Sequence, residues 1–416
     1  MNILEDSKNI IVDMLDFKKP FSVALKNYLA TNVRSQSELV TIDKIYRAFF
    51  DNYYLYEEIT KEYLTKRTNV LVAVVGIVLA SAKIVKINSS DYTPFLEDNL
   101  QRNKEKVSDE FNKFIYEYSN GIVSAPKGIV SGSYQHLSIL FNLPVWLISM
   151  LINQQGKDVA KGIFKSFKAK YSNYYIHNAL VDIDSIEKSE LASFEKVSEN
   201  LYLKKGKSNI LVDNFSFVKI DKYLDTVFNY VEKANNKYVT LYQAEKSYFY
   251  FRFLKEYLYR NNVLNIAVES LDENPELINH VSLKNLNYIF TYKSTIGELI
   301  ARLAFKQDLL FYFPKSTNME KMYYCPEYRV EFDTMNIDGI IKQQIVGLKE
   351  ISTFVSDGGI LIYLVNTIDK KETTGLIKEF LKDNQDFSLL SEYASIPTSE
   401  DAHFGYFAIL KRKNHA

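Results

Sequence analysis

Cysteine is almost missing from this chain: Cys325 is the single one in 416 residues. One thiol excludes a disulfide framework and a zinc site built from cysteines, and it fits a reducing, cytoplasmic setting. Charge of one sign is not in excess either, with Lys+Arg and Asp+Glu at 51 each. No global positive field draws such a protein onto nucleic acid, so any RNA contact has to come from a local patch. Apolar runs are short. The longest, Val70 to Ala80, is about half a bilayer span, which predicts a buried helix and no membrane partner. Met1-Asn2-Ile3-Leu4-Glu5-Asp6 puts acidic residues where a secretory signal has a basic and then an apolar run. The five histidines, His136, His177, His280, His403 and His415, show neither H-x-x-x-H nor H-E-x-x-H spacing, so no metal is expected. P-loop and G-x-S-x-G motifs do not occur, which leaves nucleotide hydrolysis and serine hydrolysis without support.

What is present is an ordinary globular composition, 47% hydrophobic and 25% charged, long enough for two or three domains. The 31 Tyr and 27 Phe, with many Asn, Lys and Ile, suggest an AT-rich coding bias, so no single Tyr or Lys carries weight by itself.

Residues 1–125 read as an all-α domain. Ile10, Ile11, Met14 and Leu15 share a helical face, as do Val23, Leu25 and Leu29 after Pro20. Ile45, Phe49 and Phe50, then Leu55, Ile59 and Leu64, continue the period, and Phe111, Phe114, Ile115 and Tyr118 make a further helix. The run from Val70 to Ala80, apolar on all sides, predicts the central helix of a bundle. Gly121, Pro126, Gly128 and Gly132 punctuate the next stretch and mark a boundary. Residues 135–235 are mixed, a small α+β segment. It opens with a helix from Pro144 to Gly156 and a second from Val159 to Phe167, followed by short strand-like runs such as Tyr174-Tyr175-Ile176 and Ile210-Leu211-Val212.

From 236 to 416 strands and helices alternate. Tyr238–Tyr242, Val263–Val268, Asn287–Phe290, Asp308–Phe311 and Gly359–Tyr363 read as strands, and His403–Lys411 closes the chain. That alternation predicts a doubly wound, mostly parallel sheet of Rossmann-like type, with ligands at the carboxyl ends of its strands.

Several motifs, in this order, resemble those of the RsmB/Sun family of rRNA cytosine-C5 methyltransferases. Pro144-Val145-Trp146-Leu147 with Gly156 resembles its P-x-W-L helix. Asp357-Gly358-Gly359-Ile360-Leu361-Ile362-Tyr363 resembles its "kpGG" turn and "LvYsTCS" strand. Gly405-Tyr406-Phe407-Ala408-Ile409-Leu410-Lys411 resembles its closing "GFFxAxLxK", and Pro314, Ser316, Pro326 and Glu327 fall near its "PCSGtG…PE". The resemblance implies a NusB-like helical domain, an RNA-binding segment and an S-adenosylmethionine-dependent catalytic domain.

The chemical positions depart from that pattern. A methyl donor needs bare backbone after the first strand, and the family writes "DxcAAPGGKT" there. Here the matching residues run from Thr240 through Tyr242, Glu245, Lys246, Ser247 and Tyr248 to Phe249. Side chains would stand where the donor lies. Glu269, in Ala267-Val268-Glu269-Ser270, matches the acid that binds ribose hydroxyls, although an ordinary solvated Glu starting a loop is the first reading of it. Cytosine C5 chemistry needs a thiolate. Asn366 stands at the family's nucleophile and Lys315 at its second cysteine. Cys325, about ten residues past that second cysteine, is a candidate for a relocated thiol or an incidental one. Lys161, Lys165, Lys168 and Lys170 interleave with Phe164, Phe167 and Tyr171. They predict either an RNA-binding strip or an amphipathic helix with a solvated lysine face.

The leading expectation is therefore an RNA- or ribosome-binding pseudoenzyme that uses no cofactor. One alternative is an active rRNA methyltransferase, using S-adenosylmethionine, whose motifs have drifted. Another is a protein-interaction module acting through the helical segment.

Overall fold

The computed structural model describes residues 3–167, 174–177, 183–186, 188–197, 201–204, 217–220, 227, 237–244, 263–269, 289–323, 325–398 and 404–414. They form two compact units. The first is Met1–Phe167 with Lys321–Met335, and the second is Lys168–Glu320 with Asn336–Ala416.

The first unit is helical. Ile3–Phe17, Gln36–Phe50, Tyr53–Tyr63, Ser89–Arg102 and Asp109–Ser119 surround Asn69–Ala80, whose residues from Leu71 onward are all buried. This is the central helix that its all-round apolarity predicts. Ser35 and Glu38 close a reciprocal capping box at one helix start, and Thr68 and Ser108 cap two others, satisfying N–H groups that have no partner within the helix. Val23 is exposed, not packed as the period suggests; only Ala24 of Phe21–Leu29 is buried. Val145–Gln155 and Lys157–Ser166, separated at Gly156 (φ 82°), also belong to this unit.

Lys321–Met335 joins the same core. Trp146 stacks on Phe332 at 5.4 Å and donates to Asp333, the Tyr46 hydroxyl donates to Glu327, and the Tyr54 hydroxyl donates to the Arg329 carbonyl at 3.0 Å. Arg329 is buried, with Asp51 as the neighbouring countercharge.

The second unit holds two sheets. A small antiparallel sheet, in the order β2-β3-β1-β4, is built from β1 (Tyr174–His177), β2 (Phe194–Lys196), β3 (Leu201–Lys204) and β4 (Phe217–Ile220). The large sheet comprises β5 (Tyr238–Gln243), β6 (Val263–Val268), β7 (Ile289–Lys293), β8 (Gln307–Phe313), β9 (Val355–Val365), β10 (Phe387–Ser395) and β11 (Gly405–Arg412). Its order is β10-β11-β9-β8-β5-β6-β7. Neighbours from β7 to β9 are parallel, while β11 runs antiparallel to both β9 and β10. A helical N-terminal region thus precedes an α/β unit with a mostly parallel, seven-stranded, Rossmann-like sheet. Strand order reverses between β5 and β8, the switch point where such sheets take their ligands.

The helices Ile296–Arg302, Ile337–Ser352 and Thr374–Asp383 bury Leu299, Leu348, Ile351, Leu376, Ile377 and Phe380 in one apolar cluster of the sheet. Tyr242, Tyr312, Tyr363 and Tyr406 belong to the same cluster, one on each of β5, β8, β9 and β11, with successive ring centroids 5.9, 6.0 and 6.4 Å apart. Three of the hydroxyls donate, Tyr312 to the Gln344 carbonyl, Tyr363 to the Glu372 carbonyl and Tyr406 to the Glu392 carboxylate, while Tyr242 lies within electrostatic reach of Glu269. Buried tyrosine is tolerated on those terms.

Gly76 tests the packing of the helical unit. A methyl group there would lie 2.5 Å from the Phe49 ring and 2.8 Å from that of Tyr56. Alanine gains about 1 kcal/mol of helix propensity, yet overpacking costs about 1–3 kcal/mol. Gly76→Ala is expected to lower stability by about 1 kcal/mol in urea denaturation; a stabilised variant contradicts the packing.

Candidate functional site

The carboxyl ends of β5, β6, β7 and β8 are pinned to one another by backbone hydrogen bonds that run past the strands. Glu269 N–H donates to the Gln243 carbonyl at 3.2 Å, Ala244 N–H to Phe313 at 2.9 Å and Ser294 N–H to Val268 at 3.0 Å. These bonds fix where each loop begins. Glu269 therefore stands exposed at the end of β6, the place its sequence position predicts.

There it lines an open cleft of about 550 Å³, together with Tyr242, Thr295, Ile296, Gly297, Lys342, Gln343, Val346, Gly347 and Glu350. Tyr242 is only 2% exposed. Burial raises its pKa, and the nearby Glu269 carboxylate raises it further, as does Glu350. Gly347 lets the layer beneath close, because a methyl group there would overlap the Tyr312 hydroxyl at 2.1 Å.

Thr240 does not reach the cleft. It is fully buried inside β5, where it donates to Gln307 Oε1 at 2.8 Å and accepts from Asn265 Nδ2 at 3.3 Å. A polar bridge between strands occupies the position that the motif resemblance matches to an acid. Glu245, Lys246, Ser247, Tyr248 and Phe249 lie outside the described residues.

The loops after β8 and β9 carry the two positions matched to the family's cysteines. Lys315 follows β8 by two residues and is exposed, while Asn366 follows β9 directly and is half-buried. Because β8 and β9 are parallel neighbours, both residues emerge at the same end of the sheet. Between their loops sits a buried cluster that sequence reasoning missed. Glu372 accepts from the Thr317 N–H at 2.9 Å, from the Thr317 hydroxyl and from Gln344 Nε2 at 2.9 Å. Gln344 Nε2 also donates to the Lys315 carbonyl at 3.0 Å, and the Thr317 and Thr367 hydroxyl oxygens lie 3.1 Å apart. Burial pushes the Glu372 carboxyl up to about 7, against the lowering effect of the Thr317 and Gln344 hydrogen bonds and with help from Asp369. Nearby, burial pushes the Glu320 carboxyl up to about 8. In the sequence Asp369-Lys370-Lys371-Glu372-Thr373 looks like a solvated turn, so no local signal exposes this carboxylate.

The basic strip resolves into an amphipathic helix. Lys161 and Lys165 are exposed, but Phe164 and Phe167 are buried, against Phe141 at 5.4 Å and Tyr323 at 4.8 Å respectively. Neither ring is open for stacking on a base, which corrects the aromatic part of that expectation. Lys168, Lys170 and Tyr171 lie outside the described residues. Cys325 is half-buried in the helical unit, where its N–H donates to the Lys321 carbonyl at 2.8 Å. Among the described residues no group of three His, Cys, Asp or Glu could hold a metal, and no single helix is long and apolar enough to cross a membrane.

No family model and no curated protein matches the chain. Solved structures do. The crystal structure of PH0851 shares 15% identity at a TM-score of 0.71 and covers 98% of this chain and 98% of its own. NSun6 from Pyrococcus horikoshii, crystallised with SFG, shares 12% identity at a TM-score of 0.52, covering 66% of this chain and 99% of its own. At such identities the likeness is one of fold.

The Glu372 cluster gives a pH-dependent expectation. The carboxyl titrates near 7 when folded against its ordinary 4.5, so between those values the folded chain binds more protons than the unfolded one. Its contribution to stability is complete below about 4.5 and lost as pH rises through about 7. The loss is roughly 3 kcal/mol. Urea denaturation from pH 4.5 to 8 should show a shallower fall for Glu372→Gln than for wild type; parallel curves contradict this assignment.

Proposed function

We propose that this chain is an RNA-binding protein on a methyltransferase-type fold, which keeps a cleft for the nucleoside half of a methyl donor but does not methylate cytosine. The observation that carries this is the pair of residues emerging after β8 and β9. A thiolate must add to C6 of the base before C5 can accept a methyl group. The amide of Asn366 cannot add, and Lys315 is an exposed amine. Cys325 belongs to the helical unit, not to either of these loops.

The nucleoside part of the proposal is supported by Glu269, which stands at the end of β6 beside Tyr242 and lines an open cleft of suitable size. Thr295 and Gln343 add side-chain hydrogen-bonding groups to its walls. Bound S-adenosylmethionine would present its ribose hydroxyls to Glu269 and supply an electrophilic methyl group. The fold shared with NSun6, whose crystal holds SFG, agrees with this. RNA, as part of a ribosomal particle, is the partner that the motif order implies. The solvated face of Lys157, Lys161 and Lys165 offers phosphate contacts without base reading.

Incubation of the purified protein with rRNA and radiolabelled S-adenosylmethionine should leave the RNA unlabelled; label at cytosine C5 overturns the proposal. In the same preparation, changing Lys161 and Lys165 to Glu should weaken RNA binding about tenfold or more and flatten its salt dependence. Unchanged affinity and slope would remove that helix as the contact.

A further inference from the structure

Glu350 stands in the same cleft as Glu269 but belongs to another element, the helix Ile337–Ser352. Its carboxylate reaches the first turn of Ile296–Arg302, where a methyl group on Gly297 would lie 3.3 Å from Oε1. Glu269 enters from the end of β6, and both carboxylates act electrostatically on Tyr242 and on Tyr312. The two acids therefore flank one floor.

The dimensions make their charge matter. A sphere of 550 Å³ is about 10 Å across, close to the screening length of roughly 10 Å in 0.1 M salt. A charged group in the cleft lies within about one screening length of both carboxylates. Among the described lining residues Lys342 is the single cation against two carboxylates, so their summed charge is negative. An anion entering this cleft meets net repulsion, while a neutral or cationic ligand does not.

We propose that Glu350 is a specificity determinant which, with Glu269, makes the cleft accept unphosphorylated nucleosides and reject their 5′-phosphates. This deepens the nucleoside assignment made under Proposed function and rests on it. Repulsion built into the cleft excludes the abundant nucleotides that share the same base and ribose.

Calorimetric titration of the full chain with adenosine and with adenosine 5′-monophosphate tests it. At about 50 mM salt, adenosine should bind about tenfold more tightly than the monophosphate, and the gap should close toward unity near 1 M salt, where screening acts within about 3 Å. Glu350→Gln should narrow the gap to about threefold. Glu379→Gln, which removes an exposed charge from another helix, should leave it at tenfold. A monophosphate bound as tightly as adenosine by wild type overturns the proposal, as does a gap that neither salt nor Glu350→Gln alters. If neither compound binds, the nucleoside assignment itself fails and the selectivity falls with it.

Discussion

Two loops leave the sheet after β8 and β9, and one buried carboxylate holds them together. Glu372 takes two hydrogen bonds from Thr317 on the first loop, and a third from Gln344, which also grips the Lys315 carbonyl. A carboxylate taken out of water is costly unless its oxygens are filled; Oε2 takes two of these donors and Oε1 the Thr317 hydroxyl, so losing that hydroxyl would leave a buried oxygen unsatisfied. The geometry of both loops, and hence the setting of Lys315 and Asn366, follows from that constraint. Tyr363 extends it into the sheet by donating to the Glu372 carbonyl.

The tyrosines carry the same logic across the unit. From β5 to β11, four rings fill the layer beneath the helices, and the hydroxyls of Tyr312, Tyr363 and Tyr406 each leave the apolar layer toward an acceptor. At one end of the row Tyr242 lies within electrostatic reach of Glu269, the acid that lines the cleft. Aromatic bulk with one polar atom per ring supplies both the filling and the orientation.

Much of this was legible in the sequence where burial imposes a period. The helix Asn69–Ala80, the strands around Leu241, Ile266, Leu310 and Ile362, and Glu269 at the end of its strand all follow from apolar pattern or motif order. Strand β10 was not visible. Of its nine residues only Phe387 is buried, so Leu389, Leu390 and Tyr393 show no inward alternation. The membership of Lys321–Met335 in the helical unit was equally hidden, because it depends on partners such as Tyr46, Tyr54 and Trp146, distant in the chain. Glu372 was missed because nothing in a run of Asp, Lys and Thr says which carboxylate turns inward. The abundance of tyrosine, 31 in all, masked the four that matter.

The functional account depends on the absence of a thiol that can reach a cytosine. RNA carrying 5-fluorocytidine captures such thiols directly: addition at C6 followed by methyl transfer leaves a fluorine that cannot depart as a proton does, and the adduct persists through denaturation. Incubation of the full chain with this RNA and S-adenosylmethionine, read on a denaturing gel, is predicted to yield no covalent complex. A denaturation-resistant adduct mapped by mass spectrometry to Cys325 would contradict the account.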